Sequence, residues 1–176
     1  MPTIETRVTG LYFDTGDRIG LTVEMDGSGP YVENRMMTYN GSTFTSPGFL
    51  WYNDLNVTST LTAYYPYAES GVPEEFRIAT DQTSGCTSSD LLGAVKRGVT
   101  PASAPVGMVF YHLFTQLSIR VNNVSDASVT GITVGGTVTT AAVDLSVPTA
   151  SALEGAAAEE ITVLTVAPDE EYRVIL

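Results

Sequence analysis

Few residues in this chain have types and spacing that could do chemistry. His112 is the sole histidine. As a general base it would need a nucleophile and an orienting carboxylate nearby, but Phe110 and Phe114 flank it instead. We read it as a packed core histidine with a hydrogen-bond partner. One histidine also cannot build the usual multi-histidine metal site. Asp14 and Asp17 in DTGD form a carboxylate pair, of the kind used in acid–base work or calcium binding. The alternating acids and distal Glu of a calcium loop are missing, so the pair reads as turn chemistry. The stretch Asp81–Asp90, DQTSGCTSSD, is rich in hydroxyls but lacks the lysine and glycine spacing of a phosphate loop. It reads as a connection, and Cys86 within it as a small loop residue. A single cysteine allows no intrachain disulfide and no cysteine-built zinc site. No catalytic residue, cofactor site or metal site is expected.

The remaining candidates are rings. Trp51, Tyr52, Tyr64 and Tyr67 lie near one another in sequence, the last two within LTAYYPY at 61–67. Tyr and Trp pair an apolar face with a polar tip and stack well on sugars. Two readings are open: an exposed sugar-stacking platform, or rings folded over the rim of a core where Pro66 ends a strand. We favour the rim.

The elements that must position these residues are strands. Ile19–Met25, Val57–Tyr65, Phe76–Ala79, Met108–Val121, Val129–Val134, Thr137–Leu145, Ile161–Val166 and Tyr172–Leu176 read as strand runs bounded by turn residues. In Val57–Tyr65 the residues Val57, Leu61, Ala63 and Tyr65 share one face, with threonines and Tyr64 on the other. Gly135-Gly136 between two runs predicts a hairpin. In 108–121 the apolar parity switches after Phe114, which predicts a β-bulge near Thr115-Gln116. Ser89–Ala94 predicts one short helical turn capped by Ser89, and Ala152–Glu160 an acidic loop. Short strands with Gly, Pro and Ser turns, and no αβ alternation, predict an all-β sandwich of about seven main strands.

Composition agrees. The 176 residues are 43% hydrophobic and only 16% charged, enough for a real core. Net charge is −12, and beyond Val121 eight acids face one base, Arg173. Such a surface repels phosphate backbones and anionic membranes, which argues against nucleic-acid binding. No run of 18 apolar residues exists to span a membrane as a helix. No signal peptide opens the chain, and Met1–Arg7 reads as the start of a mature segment. Asn40, Asn56 and Asn123 begin glycosylation sequons, relevant only in a eukaryotic secretory path.

Taken in order, several short elements resemble the fimbrillin family, pilus subunits and related surface proteins of Bacteroidales-type bacteria. They are Thr6-Arg7, Gly16–Leu21 (GDRIGL), Trp51-Tyr52, LTAYYPY, Asp81-Gln82, Ser89–Leu92, Phe110–His112 with Gln116-Leu117, Val134–Gly136, TTAAVDL at 139–145, and Tyr172–Leu176. The pattern departs at Phe114-Thr115-Gln116, where the family would have Leu, Ser and Lys. The resemblance implies a non-catalytic subunit of stalk, tip or anchor type. It implies two domains of transthyretin-like β-sandwich topology, of which residues 1–176 would be the N-terminal one, the second absent. It also implies an exported lipoprotein at the outer membrane, whose leader and lipid anchor are not in this chain. A protease is expected to cut after an arginine near the N-terminus, with Arg7 the candidate, and to remove a first strand. The groove so opened accepts a strand from another pilus subunit. The candidate groove residues are Phe110, Phe114, Leu117 and Ile119. Host or bacterial surface ligands are further candidate partners. The alternative function is a surface carbohydrate-binding β-sandwich using Trp51, Tyr52, Tyr64 and Tyr67.

Overall fold

The computed structural model describes the backbone of residues 4–8 and all atoms of 12–102 and 104–176. The strands, in chain order, are β1 (Ile4–Val8), β2 (Arg18–Met25), β3 (Gly29–Tyr39), β4 (Phe44–Thr45), β5 (Ser59–Tyr65), β6 (Glu75–Arg77), β7 (Leu92–Val99) and β8 (Val106–His112). There follow β9 (Gln116–Arg120), β10 (Thr133–Val138), β11 (Thr140–Asp144), β12 (Thr149–Ala152), β13 (Ala158–Thr162), β14 (Leu164–Ala167) and β15 (Glu171–Ile175). The one helical element among the described residues is a 3-10 turn over Thr87–Ser89. The protein is therefore all-β, built from several antiparallel sheets as an all-β sandwich requires. The chain divides into two compact units. The first comprises Met1–Pro73, Leu92–His112 and Asp144–Thr149; the second comprises Glu74–Leu91, Leu113–Val143 and Ala150–Leu176.

In the first unit the strands pair in the order β1-β4-β3-β2-β5-β7-β8, and β8 pairs back onto β1. The core follows from strand parity. Ile19, Leu21 and Val23 of β2, Leu61 and Ala63 of β5, Leu92 and Ala94 of β7, and Met108 and Phe110 of β8 all point inward, two residues apart on each strand. Met37, Phe44, Phe49 and Val99 complete the cluster, and Tyr65 packs against it. The expected inward face of LTAYYPY is thus the observed one. β3 carries one extra residue where its register against β2 shifts between Leu21 and Val23. Asn34 takes up that residue in a left-handed conformation, φ 44°.

The second unit holds β10-β13, β12-β11-β6 and β14-β15-β9. Its core is Ile78, Ile161, Val163, Tyr172 and Val174, with Phe76, Phe114, Ile119 and Val134 packed around it. Gln82 is fully buried there. Its side-chain amide donates to the Ile175 carbonyl at 2.9 Å and accepts from the Ile175 N–H at 2.9 Å. It therefore pairs with the end of β15 as a neighbouring strand would.

Four local expectations are corrected. Gly135-Gly136 make no hairpin: β10 runs through both, and they face Glu160 alone as a bulge against β13. Gly136 has φ 79°, which glycine adopts without steric cost. The parity switch in 108–121 is real, but a break produces it rather than a bulge within one strand. The chain bends at Leu113-Phe114, leaving β8 and β9 in different sheets. The helical turn is Thr87–Ser89, so Ser89 ends it rather than starting it. That residue is buried, and its Oγ accepts from the Ala79 N–H at 3.0 Å instead of capping a helix. The acidic loop is shorter than expected, because β13 already begins at Ala158.

Candidate strand-acceptor site

β1 is the strand that closes the ladder of the first unit. It pairs antiparallel with β4 at one position, Ile4 opposite Phe44. It pairs parallel with β8 over five positions, from Ile4 opposite Val106 to Val8 opposite Phe110. On the other side of β8 the ladder to β7 covers only Leu92–His112 and Gly93–Tyr111. Residues Val106–Phe110 thus have β1 as their strand partner. A strand without a partner presents a row of unpaired N–H and C=O groups, a template for another extended segment. Arg7 lies within β1, opposite Val109. A cut after it would separate four of the five strand residues, Ile4–Arg7, from the chain.

Of the expected groove residues, Phe110 sits at this site, buried in the core of the first unit. Phe114, Leu117 and Ile119 are not brought to it. Phe114 stacks on Phe76 at 5.2 Å, and Ile119 packs against the core of the second unit. Leu117, on β9, is 38% exposed. The bend after β8 separates the two groups. β9 pairs with β15 and is an edge strand of its sheet.

The four candidate stacking rings do not form a platform. Trp51 and Tyr52 meet edge to face, 87° apart. Tyr52 is buried, and its hydroxyl donates to the Val57 carbonyl at 2.8 Å. The indole Nε1 of Trp51 is buried with no partner among the described residues. Tyr67 is half-buried. Tyr64 points away from the core yet is only 5% exposed, because its ring lies over Gly20, its cross-strand neighbour. A Cβ built on Gly20 would stand 2.2 Å from Tyr64 Cε1. The Tyr64 hydroxyl lies 2.8 Å from Asn34 Oδ1 and 2.9 Å from the Ala68 carbonyl, either of which can accept its proton. Asn34 Nδ2 also donates to Ala68 O at 2.9 Å, tying the bulge to the turn after LTAYYPY. Burial is the main effect pushing the Tyr64 phenol above its ordinary pKa, partly offset by the bond to Ala68. Glycine beneath and amide beside make this ring a clamp.

Other candidates resolve as ordinary structure or need correction. His112 is exposed at the end of β8, not packed in the core, since the strand gives way to the bend there. Asp14 and Asp17 form a turn: the Asp14 N–H donates to Asp17 Oδ2 at 2.8 Å. The Cys86 thiol is half-buried; burial raises its pKa, against a smaller opposing effect of Arg173. The Asp81 carboxylate lies below its usual range because the Thr83 hydroxyl and N–H both donate to it. No group of three or more metal-ligating side chains occurs among the described residues. No helix among them is long and apolar enough to cross a membrane.

The same all-β architecture occurs in bacterial proteins of known structure. A candidate cell adhesion protein from Bacteroides uniformis superimposes with a TM-score of 0.78 at 20% identity, over 99% of this chain and 73% of the other. A second, from Bacteroides ovatus, gives 0.72 at 20% identity, over 99% and 76%. A fimbrial protein from Bacteroides ovatus gives 0.57 at 18% identity, over 98% of this chain and 40% of the other. At these identities the likeness is one of fold. None of the curated proteins matches. The family model for fimbrillin-like proteins matches residues 6–176, and the chain belongs to that family. The family points to a structural, non-enzymatic protein.

Proposed function

We propose that the chain is a structural subunit of a bacterial surface pilus or fimbria that assembles by β-strand donation at the position held by β1. One observation carries the reading: Val106–Phe110 of β8 has β1 as its strand partner, and β1, the first strand among the described residues, holds Arg7. Its loss by cleavage after Arg7 leaves β8 with unpaired backbone groups beside the buried Phe110. An extended segment from another subunit restores the ladder, and its alternate side chains face the core. Leu117 and Ile119 on the edge strand β9 offer a second place for a segment to pair. The protein acts at the cell surface in this reading, after export and lipid anchoring. The alternative of sugar stacking is disfavoured by the burial of Tyr52 and Tyr64 and by the edge-to-face meeting of Trp51 with Tyr52.

The test is an unboiled immunoblot of surface material sheared from the source bacterium. Strand-exchanged subunits run as a ladder of polymers that collapses to one band on heating. A single monomer band before heating refutes assembly by strand exchange.

A further inference from the structure

Phe13 follows β1 in the chain and sits at the meeting point of four rings. Its centroid lies 4.9 Å from Phe44, 5.3 Å from Tyr65, 5.4 Å from Phe110 and 6.1 Å from Tyr39. The first three contacts are edge-to-face, at 74° to 84°, the favoured geometry for aromatic pairs. Two of these partners belong to the strands that flank β1. Phe44 is the β4 residue opposite Ile4, and Phe110 is the β8 residue opposite Val8. One side chain outside the strand ladder therefore touches both β4 and β8. Phe44 and Phe110 are themselves buried, so neither can swing away to solvent without opening the core.

We propose that Phe13 is an aromatic strut that holds β4 and β8 apart at strand-accepting distance once β1 has left. The inference rests on the strand-exchange reading and specifies how the vacated groove stays ready. A cut after Arg7 releases β1 but leaves Phe13 in the chain. Without the strut, the gap that β1 leaves between β4 and β8 has lost the Phe13 ring as well, and the core closes over the groove in part of the molecules. An incoming strand then binds only the open fraction. If a tenth of the molecules are open, its apparent association falls about tenfold. With the strut, the groove is preformed.

The test uses the full chain with a specific protease site inserted between Val8 and Thr9. Cutting leaves every native residue present and β1 held by its ladders alone. A fluorophore at the N-terminus then reports exchange of β1 with the unlabelled synthetic segment Met1–Val8. In the parent protein, β1 exchanges, and the rate of segment association rises linearly with concentration. Phe13→Ala is expected to slow association about tenfold, with a much smaller change in dissociation. Phe13→Leu, which keeps the apolar bulk, falls between. It also decides the matter if the alanine variant is unfolded before cutting. Equal association in the parent and variant proteins overturns the strut and leaves strand exchange standing. Failure of β1 to exchange in the parent overturns strand exchange at this site, and the strut with it.

Discussion

Substituting Gly20 by alanine separates a structural Tyr64 from a ligand-binding one. The added Cβ stands 2.2 Å from Tyr64 Cε1 and 2.6 Å from both Tyr64 Cζ and Asn34 Oδ1. The ring must move by more than an ångström to reach ordinary contact. Overpacking of this kind costs about 1–3 kcal/mol. The displaced hydroxyl loses a bond to Asn34 or Ala68, about 1 kcal/mol more. We expect Gly20→Ala to destabilise by about 2–4 kcal/mol, a fall in Tm of about 5–15 °C for a chain of this size. In a Tyr64→Ala background the ring is gone. There only the contact with Asn34 Oδ1 remains, at the end of a side chain that has lost its bond to Tyr64, so the same substitution should cost about 1 kcal/mol or less, alanine in a strand losing less conformational freedom than glycine by about 0.5–1 kcal/mol. The assay is urea unfolding of the four proteins in a double-mutant cycle, with the m-value checked for constancy. The expected coupling is about 2 kcal/mol or more, given that contacting residues couple by roughly 0.5–3. An equal cost in both backgrounds refutes the clamp.

Three further outcomes are expected. Gln82→Leu removes the amide that pairs with Ile175, leaving a buried N–H and C=O without partners. It should cost about 2–4 kcal/mol in urea unfolding and speed hydrogen exchange at the Ile175 amide; unchanged exchange there would falsify the surrogate-strand role. Trp51→Phe exchanges a buried unsatisfied indole N–H for an apolar ring. It should change stability by less than about 1 kcal/mol, and a loss above about 2 would show that Nε1 has a partner in solution. The folded Tyr64 phenol ionises above the unfolded value of about 10. The folded state therefore holds this proton longer, and the resulting stability is complete below about pH 10 and lost as pH rises through the folded value. Unfolding midpoints between pH 8 and 11 should fall less steeply in Tyr64→Phe, and identical profiles contradict the shift.

Strands with clean alternation were legible. Leu61, Ala63 and Tyr65 face the core as their parity requires, and β2 and β15 lie where their apolar runs put them. The two main omissions were β3 and β7. In β3 the bulge at Asn34 shifts the inward set by one, so no single period spans the strand. In β7, LGAVKRGV, Lys96 and Arg97 interrupt the apolar positions and Gly93 and Gly98 weaken the strand signal. The misread Gly135-Gly136 shows a related limit: two glycines permit a hairpin and a bulge equally, and only the partner strand decides. The site was half legible. Phe110 could be placed by parity, but β1, IETRV, has polar residues at its three middle positions and no apolar run to mark it. Gln82 looked like one more polar residue in a loop, since only the fold brings Ile175 to its amide. Phe13 carries no local signal, because its partners come from β3, β4, β5 and β8.

The parallel register of β1 on β8 has a mechanical consequence. Five consecutive residue pairs hold one strand along the length of another. A subunit joined through a segment in that position, and pulled along the strand axis, strains all of those pairs together in shear. A pull across the strand would peel them one after another, each bond failing at a small fraction of the load. If subunits join by strand donation at this position, a filament under tension would load its junctions in shear rather than in peel.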